Sequence, residues 1–296
     1  MTSDLPFGDL PGVQLTNEHG LAAVRVDTAS ASGLVYLQGA HVAEWQPSGV
    51  APVIFMSERA TYAPGKALRG GIPLCFPWFG ANAEHPEFPA HGFARTRGFA
   101  YRGARLDAQG RSELEFSLDS SPETEALFPF AFSARLRVAF GPSLGLEFEV
   151  SNRSDRAFTF EEALHSYFVV SDVKQVEVLG LQGSSYTDKV RNGAVFREEG
   201  AALRFMGETD RVYDSAADCQ IIDPGGKRSI RVAKTNSGSS VVWNPWVERA
   251  AQMADLGASA WPGMLCVESA NVGTSKISLP AGAAHTLRVT ITVTPN

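Results

Sequence analysis

The stretch Glu161-Glu162-Ala163-Leu164-His165-Ser166-Tyr167-Phe168-Val169-Val170 decides how this chain is read. Its β-branched and aromatic residues describe a strand. Yet within seven positions it carries two carboxylates, a histidine, a serine and a tyrosine. A strand that only filled a core would have no use for His165. Histidine is the side chain whose unperturbed pKa lies near neutrality, so it can take and return a proton. Taken alone, such a histidine is equally explained as an inert, hydrogen-bonded side chain. The flanking Glu161 and Glu162, the hydroxyls of Ser166 and Tyr167, and a second strand downstream favour chemistry. That second strand, Met264-Leu265-Cys266-Val267-Glu268-Ser269-Ala270-Asn271, is apolar until Glu268 interrupts it. The expectation is that the two strands face each other, with His165 and Glu268 as general acid and general base.

Outward from these two segments the pattern is β throughout. Leu21 to Asp27 and Ser32 to Pro47 alternate, with a tight turn at Gln38-Gly39-Ala40-His41. Arg111 to Asp119, Phe132 to Phe140 and Leu144 to Ser151 follow, the last two joined by Gly141-Pro142-Ser143. Shorter strands are expected at 53–56, 175–181, 219–222, 229–234, 241–243 and 277–279, and a long one over 285–293. Helices are few: a short one within 247–256 and a single turn at 123–127. Asp188 and Lys189 read as the start of a polar connection. Many short alternating strands imply an all-β fold, a large two-sheet antiparallel β-sandwich. With no linker, low-complexity tract or internal repeat, residues 1–296 read as a single domain.

Composition narrows the function classes. The chain has 296 residues and a net charge of -6, with no run of Lys or Arg, which argues against a nucleic-acid surface. No apolar run is long enough to span a bilayer. Residues 1–6 lack the basic and apolar regions of a leader, so no secretory signal is expected. Three cysteines, Cys75, Cys219 and Cys266, lack metal-type spacing and read as reduced thiols, hence a cytoplasmic protein. The six histidines are scattered, so no metal site is expected. No phosphate loop, dinucleotide fingerprint or Gly-x-Ser-x-Gly elbow is present.

The texture changes at Leu68-Arg69-Gly70-Gly71-Ile72-Pro73-Leu74-Cys75-Phe76-Pro77-Trp78-Phe79-Gly80 and again at His91-Gly92-Phe93-Ala94-Arg95-Thr96-Arg97. Paired glycines and prolines make poor strand interiors and good rigid rims. Arg69 and Arg95 each adjoin such backbone, and an arginine fork grips a carboxylate or phosphate in two places. Two such groups at one cleft imply an anionic substrate; Arg97 is a spare. Either arginine is equally an ordinary structural or surface residue. Trp78, Phe79, Phe93, Trp243 and Trp246 can cover the apolar face of a sugar ring, with two of the five expected at the site. His91 and Asp210 are candidates to hydrogen-bond substrate hydroxyls, Asp210 being as well explained by a structural ion pair.

These segments, together with Gly180 to Lys189, Glu208-Thr209-Asp210-Arg211-Val212-Tyr213, Trp243-Asn244-Pro245-Trp246 and Cys266-Val267-Glu268, resemble the aldose 1-epimerase superfamily and its hexose-6-phosphate mutarotase branch. They occur in the family's order and cover nearly the whole chain. The resemblance implies a galactose-mutarotase-like β-sandwich and a cofactor-free isomerase acting on a sugar phosphate, glucose 6-phosphate foremost. It implies that His165 and Glu268 are the catalytic pair, that Arg69 and Arg95 bind the phosphate, and that Asp210 contacts the substrate; His91 and Trp243 are expected beside it from their residue types alone. Glu268 would take the proton of the anomeric hydroxyl while His165 donates to the ring oxygen. A monomer is expected. Some members place a substrate-binding glutamine directly before the His-Gly pair, where this chain has Ala90. The rival readings are a mutarotase for free sugars, a non-catalytic carbohydrate-binding sandwich, and a glycoside hydrolase, which needs two carboxylates.

Overall fold

Phe132–Phe140 shows why this chain forms sheets: Phe132, Ala134, Leu136, Val138 and Phe140 are buried, while Ser133, Arg135 and Arg137 between them are half-buried. Period-two alternation of this kind presents one apolar face per strand, and two sheets bury their faces against each other. The computed structural model describes residues 7–296, so residues 1–6, on which the expectation of no leader rests, lie outside the described residues. The larger sheet has nine strands, in the order Leu203–Arg204, Glu177–Leu179, Cys219–Asp223, Arg228–Thr235, Ala284–Pro295, Ser143–Asn152, Phe132–Phe140, Ser112–Asp119 and Ala100–Leu106. The second has eight. It runs Ala194–Arg197, Ser185–Asp188, Thr209–Asp214, Ser239–Asn244, Met264–Asn271, Glu162–Leu164 and Leu74–Cys75, with Tyr167–Val169 also paired to Met264–Asn271. A four-stranded antiparallel sheet, Val13–Glu18, Leu21–Asp27, Ala31–Tyr36 and His41–Pro47, adjoins them. The fold is therefore the all-β antiparallel sandwich expected, enlarged by this third sheet.

The Leu21–Asp27 strand has a partner, Val13–Glu18, that the sequence reading passed over. Ala100–Leu106 was missed too, its alternation broken by a register shift between Tyr101 and Gly103. The supposed polar connection after Asp188 is a hairpin: Ser185–Asp188 pairs with Ala194–Arg197. The two helices lie close to where they were expected, at Pro122–Glu125 and Trp246–Ala251.

The rim segment is anchored in the core by Phe76, fully buried, with the rings of Phe93, Phe128, Phe132, Phe148 and Phe160 set edge-on around it at 5.2–6.1 Å. Gly71, at φ 70°, lies where a Cβ would collide with Nε2 of His41 and with the Val42 carbonyl. The glycine is therefore needed for both the backbone turn and the close approach. These contacts fix the segment that carries Arg69 against the His41–Pro47 strand.

Candidate active site

The ladder between Glu162–Leu164 and Met264–Asn271 pairs Glu162 with Asn271, Ala163 with Ala270 and Leu164 with Ser269. Beyond a gap at His165–Ser166 the same strand pairs Tyr167 with Cys266 in unchanged register. His165 therefore falls directly opposite Glu268. The expectation that the two strands face each other across a cleft is thus refined: they are neighbours in one sheet. In the gap the His165 N–H donates to the Pro73 carbonyl (3.0 Å), and the Val267 N–H donates to Ser166 O (3.2 Å). Side chains of directly opposed residues meet, and His165 Nε2 lies 3.3 Å from Glu268 Oε1.

Alternation sets the rest of the site. One row across the sheet runs His165, Glu268, Val241, Val212; the next runs Tyr167, Cys266, Trp243, Asp210 and, one step on, Lys189. The Lys189 N–H donates to Asp210 O at 2.8 Å, which continues the ladder to that fifth strand. Both rows lie on the face turned away from the main core, because Leu164, Phe168, Val242, Leu265 and Val267 occupy the other. Tyr167, two residues after His165, stacks on its ring at 4.9 Å and 11°. Trp243 sets its edge against both rings, at 6.3 and 5.9 Å.

Over these rows lies a cavity of about 580 Å³. All seven residues singled out in the sequence line it: Arg69, His91, Arg95, His165, Asp210, Trp243 and Glu268. Of the five candidate aromatics it admits Phe79 and Trp243. Phe93 is core, Trp78 donates from Nε1 to the Pro89 carbonyl, and Trp246 packs on Trp261. Ala90, Tyr167, Lys189, Glu208, Val241, Arg249 and Met253 complete the wall without having been named as site residues. Tyr167 was legible, since residues two apart on a strand share a face. Lys189 was hidden because its strand went unrecognised.

Three reassignments follow from the geometry. Glu161 and Glu162, read as part of the chemistry, do not line the cavity. Glu161 holds the rim instead: its carboxylate accepts from Phe79 N at 2.9 Å and Gly273 N at 2.7 Å. Glu162 is an odd number of residues from His165 and points to the other face, where Oε1 accepts from Asn271 Nδ2 (2.8 Å) and meets His285 Nε2 (2.9 Å). Ser166 likewise turns away, its hydroxyl directed at the Leu164 carbonyl.

The electrostatics of the site follow from burial. Glu268 and His165 are 1% and 8% exposed. Neither carboxylate oxygen of Glu268, nor Nδ1 of His165, has a protein hydrogen-bond partner, so their 3.3 Å contact is a close approach rather than a formed bond. Burial raises the Glu268 carboxyl well above the ordinary range; Asp210 adds to this, and Lys189 and Arg95 oppose it. Burial also drives the His165 imidazole well below its ordinary value, helped by His91, Arg95 and Arg69. The unliganded pair therefore favours neutral histidine beside protonated carboxyl, which holds the same number of protons as an imidazolium–carboxylate pair.

His91, at φ 64°, is carried by a backbone that few non-glycine residues adopt. Its Nδ1 accepts from Gly80 N (3.3 Å) and its ring meets Phe79 edge-on at 4.7 Å. Burial, with Arg95, Lys189 and Arg69 nearby, pushes His91 down to about 3, so it is neutral with its proton on Nε2. Arg69 donates from Nη1 to Tyr167 OH (3.0 Å) and from Nε to Asp255 (3.1 Å). Arg95 donates from Nη2 to the Ala90 carbonyl (2.7 Å). Lys189 lies 3.7 Å from Asp210 and 4.5 Å over the Phe79 ring. Cys75 approaches His91 Nδ1 at 3.6 Å, but burial pushes its thiol up to about 12, so it is not a nucleophile near neutral pH.

The profile of the family described as aldose 1-epimerase matches residues 23–292. The chain belongs to the aldose 1-epimerase family. Within that family it is similar to proteins named "Putative glucose-6-phosphate 1-epimerase". One, from Cenchrus ciliaris, is 35% identical over 271 residues, spanning 88% of this chain and 81% of its own. Another, from Escherichia coli K12, is 34% identical over 273 residues, spanning 91% and 90%. The crystal structure of the Salmonella typhimurium protein YeaD, described as a "putative mutarotase", superposes with a TM-score of 0.90 at 31% identity, covering 99% of this chain and 97% of the other. A galactose mutarotase-like protein from Lactobacillus casei shares the fold at 15% identity and a TM-score of 0.74, over 92% of this epimerase-family chain and all of its own.

Proposed function

We propose that this protein interconverts the α and β anomers of hexose 6-phosphates, glucose 6-phosphate foremost, by acid–base ring opening and reclosure. The observation that carries this reading is the direct opposition of His165 and Glu268, 3.3 Å apart on the floor of a cavity also lined by arginines. The names of the relatives support the substrate class.

The chemistry needs a base for the anomeric hydroxyl and an acid for the ring oxygen. One proton transfer from Glu268 to Nε2 of His165 turns the resting pair into carboxylate and imidazolium. Glu268 then takes the hydroxyl proton as the bond from anomeric carbon to ring oxygen breaks, and His165 gives its proton to that oxygen. The products are the open-chain aldehyde and the pair in its resting form. Rotation about the bond to the anomeric carbon presents the other face, and reversal of the steps closes the ring. A phosphate beside Arg95 and Arg69 assists, because it offsets two positive charges that add to burial in keeping His165 neutral. Asp210 and neutral His91 are placed to bond hydroxyls, and Trp243 to cover an apolar ring face.

In this reading the chain is a single domain acting as a monomer. The three cysteines are buried free thiols, which suits a reducing cytoplasm. Among the described residues no helix is long and apolar enough to cross a membrane. A second reading, mutarotation of free sugars, draws on the carboxylates already placed against Arg69 and Lys189. The test is NMR exchange between the anomers of glucose 6-phosphate, with glucose and galactose run alongside. Acceleration of the phosphorylated sugar is expected. Acceleration of free sugars alone would discard the phosphate, and binding without acceleration would leave only a carbohydrate-binding sandwich.

A further inference from the structure

Four cations line the cavity: Arg69, Arg95, Lys189 and Arg249. Two are already engaged by carboxylates. Arg69 is held by Asp255 through Nε and Nη2, and Lys189 stands 3.7 Å from Asp210. Arg95 donates only to a neutral carbonyl, and Arg249 only to the Gln252 side chain, from Nη1 at 3.2 Å. Among the described residues neither of these two has a carboxylate within ion-pair distance. The remaining acid near Arg249 on the cavity wall is Glu208, whose carboxyl is raised by burial against the pull of Arg249.

Arg249 is also aimed. It lies on Trp246–Ala251 and lines the cavity mouth together with Met253, just past the helix end. Both ends of the segment are tied. Trp246, at φ 56°, donates its N–H to Asn244 Oδ1 (2.9 Å), while Asn244 Nδ2 donates to the Trp261 and Met264 carbonyls at 2.8 Å. At the far end Ser57 donates to the Asp255 carbonyl (2.7 Å), and the Asp255 side chain grips Arg69. We propose that Arg249 is a specificity-determining residue that reads the phosphate of the bound sugar phosphate from the cavity rim, as the second guanidinium of the cavity wall, with Arg95, that no carboxylate holds.

This assignment rests on the hexose-6-phosphate reading above. A phosphate dianion is matched best by two charges not already neutralised, and guanidinium forks suit its geometry. Arg69 keeps two unused N–H groups for oxygen contacts, but its charge is balanced by Asp255. Because Arg249 is exposed, its attraction is screened by salt.

The experiment compares wild type, Arg249→Ala and Arg249→Lys in anomer exchange of glucose 6-phosphate, with inorganic phosphate as competitive inhibitor, at low and high salt. Loss of one charge-assisted contact at an exposed rim should raise both KM and the phosphate inhibition constant roughly tenfold in Arg249→Ala. kcat should fall by less, the salt dependence should weaken, and the lysine variant should recover part of the affinity. Wild-type KM and phosphate inhibition in a folded Arg249→Ala protein would overturn the role of Arg249 alone. A wild-type enzyme that exchanges free glucose and ignores phosphate would overturn the phosphate reading, and Arg249 with it.

Discussion

Replacing Glu268 with glutamine should damage activity and improve stability together, and the two effects share one cause. Glutamine keeps the shape of the side chain, which is 1% exposed and packed in the second sheet. It removes the group that accepts the anomeric proton, and loss of one general base costs about 10²–10⁴-fold in turnover. The stability effect follows from the raised pKa. A carboxyl whose folded pKa exceeds its unfolded value contributes stability fully only below the unfolded pKa. It loses that contribution as pH rises toward the folded value. His165 has the opposite sign: its depressed pKa makes the native state less stable as pH falls below about 6.5, the unfolded histidine value. Between the two unfolded values these slopes offset each other. Above neutrality only the Glu268 slope remains, about 1.4 kcal/mol per pH unit for as long as the native carboxyl keeps its proton. Urea unfolding of both proteins at pH 7 and pH 8 measures it, because all shared titrations cancel in the difference. The gap should favour the variant and widen with pH, by at most about that amount per unit, while NMR exchange shows the lost turnover. A variant with near-normal exchange, or one whose stability follows wild type in parallel through both pH values, would refute the reasoning.

Arg95→Ala should raise KM for glucose 6-phosphate by roughly tenfold or more, with kcat less affected; initial-rate exchange measurements give the split, and an unchanged KM would remove Arg95 from the phosphate contact. His41 is buried, and burial, with Arg95 adding to it, pushes its pKa down to about 3, so it destabilises the native state as pH falls below the unfolded value. His41→Asn should therefore flatten the acid limb of stability by about 2 kcal/mol between pH 6.5 and 5, read as the change in urea midpoint across that window. Phe76→Ala removes the ring that five other aromatics surround and should cost ~3–5 kcal/mol in denaturant unfolding; a loss under 1 kcal/mol would show that the cluster closes over the space.

Much of this site could be read from the chain because strands obey a simple rule. Alternation located Phe132–Phe140 to the residue, and acids or bases inside apolar strands singled out His165 and Glu268. What could not be read was which face an off-pattern residue takes. Glu162 stood only as a flanking carboxylate favouring chemistry at His165, and the register shows that it points to His285 instead. Glu161 gave no hint that it would clamp two backbone amides from distant segments. Lys189 depended on recognising Ser185–Asp188 as a strand, a four-residue segment with only Tyr186 and Thr187 to signal it and an Asp, depleted in strands, at its end. Arg249 depended on where the short helix Trp246–Ala251 would be set against the cavity, a tertiary placement that its own sequence pattern does not state.

The two rows of side chains make strand length, and not composition alone, a condition of function. Deleting one residue between Glu162 and His165 would, if pairing were retained, bring Ser166 across from Glu268 and turn the imidazole into the core, since a single-step slip exchanges the faces of a strand. Lengthening a loop that lines the cavity, such as 205–208 with its Glu208, leaves both rows in place. Inherited or engineered changes of substrate should therefore arise as loop insertions and rim substitutions. Single-residue indels within these strands should read as null alleles even where every named residue is still encoded.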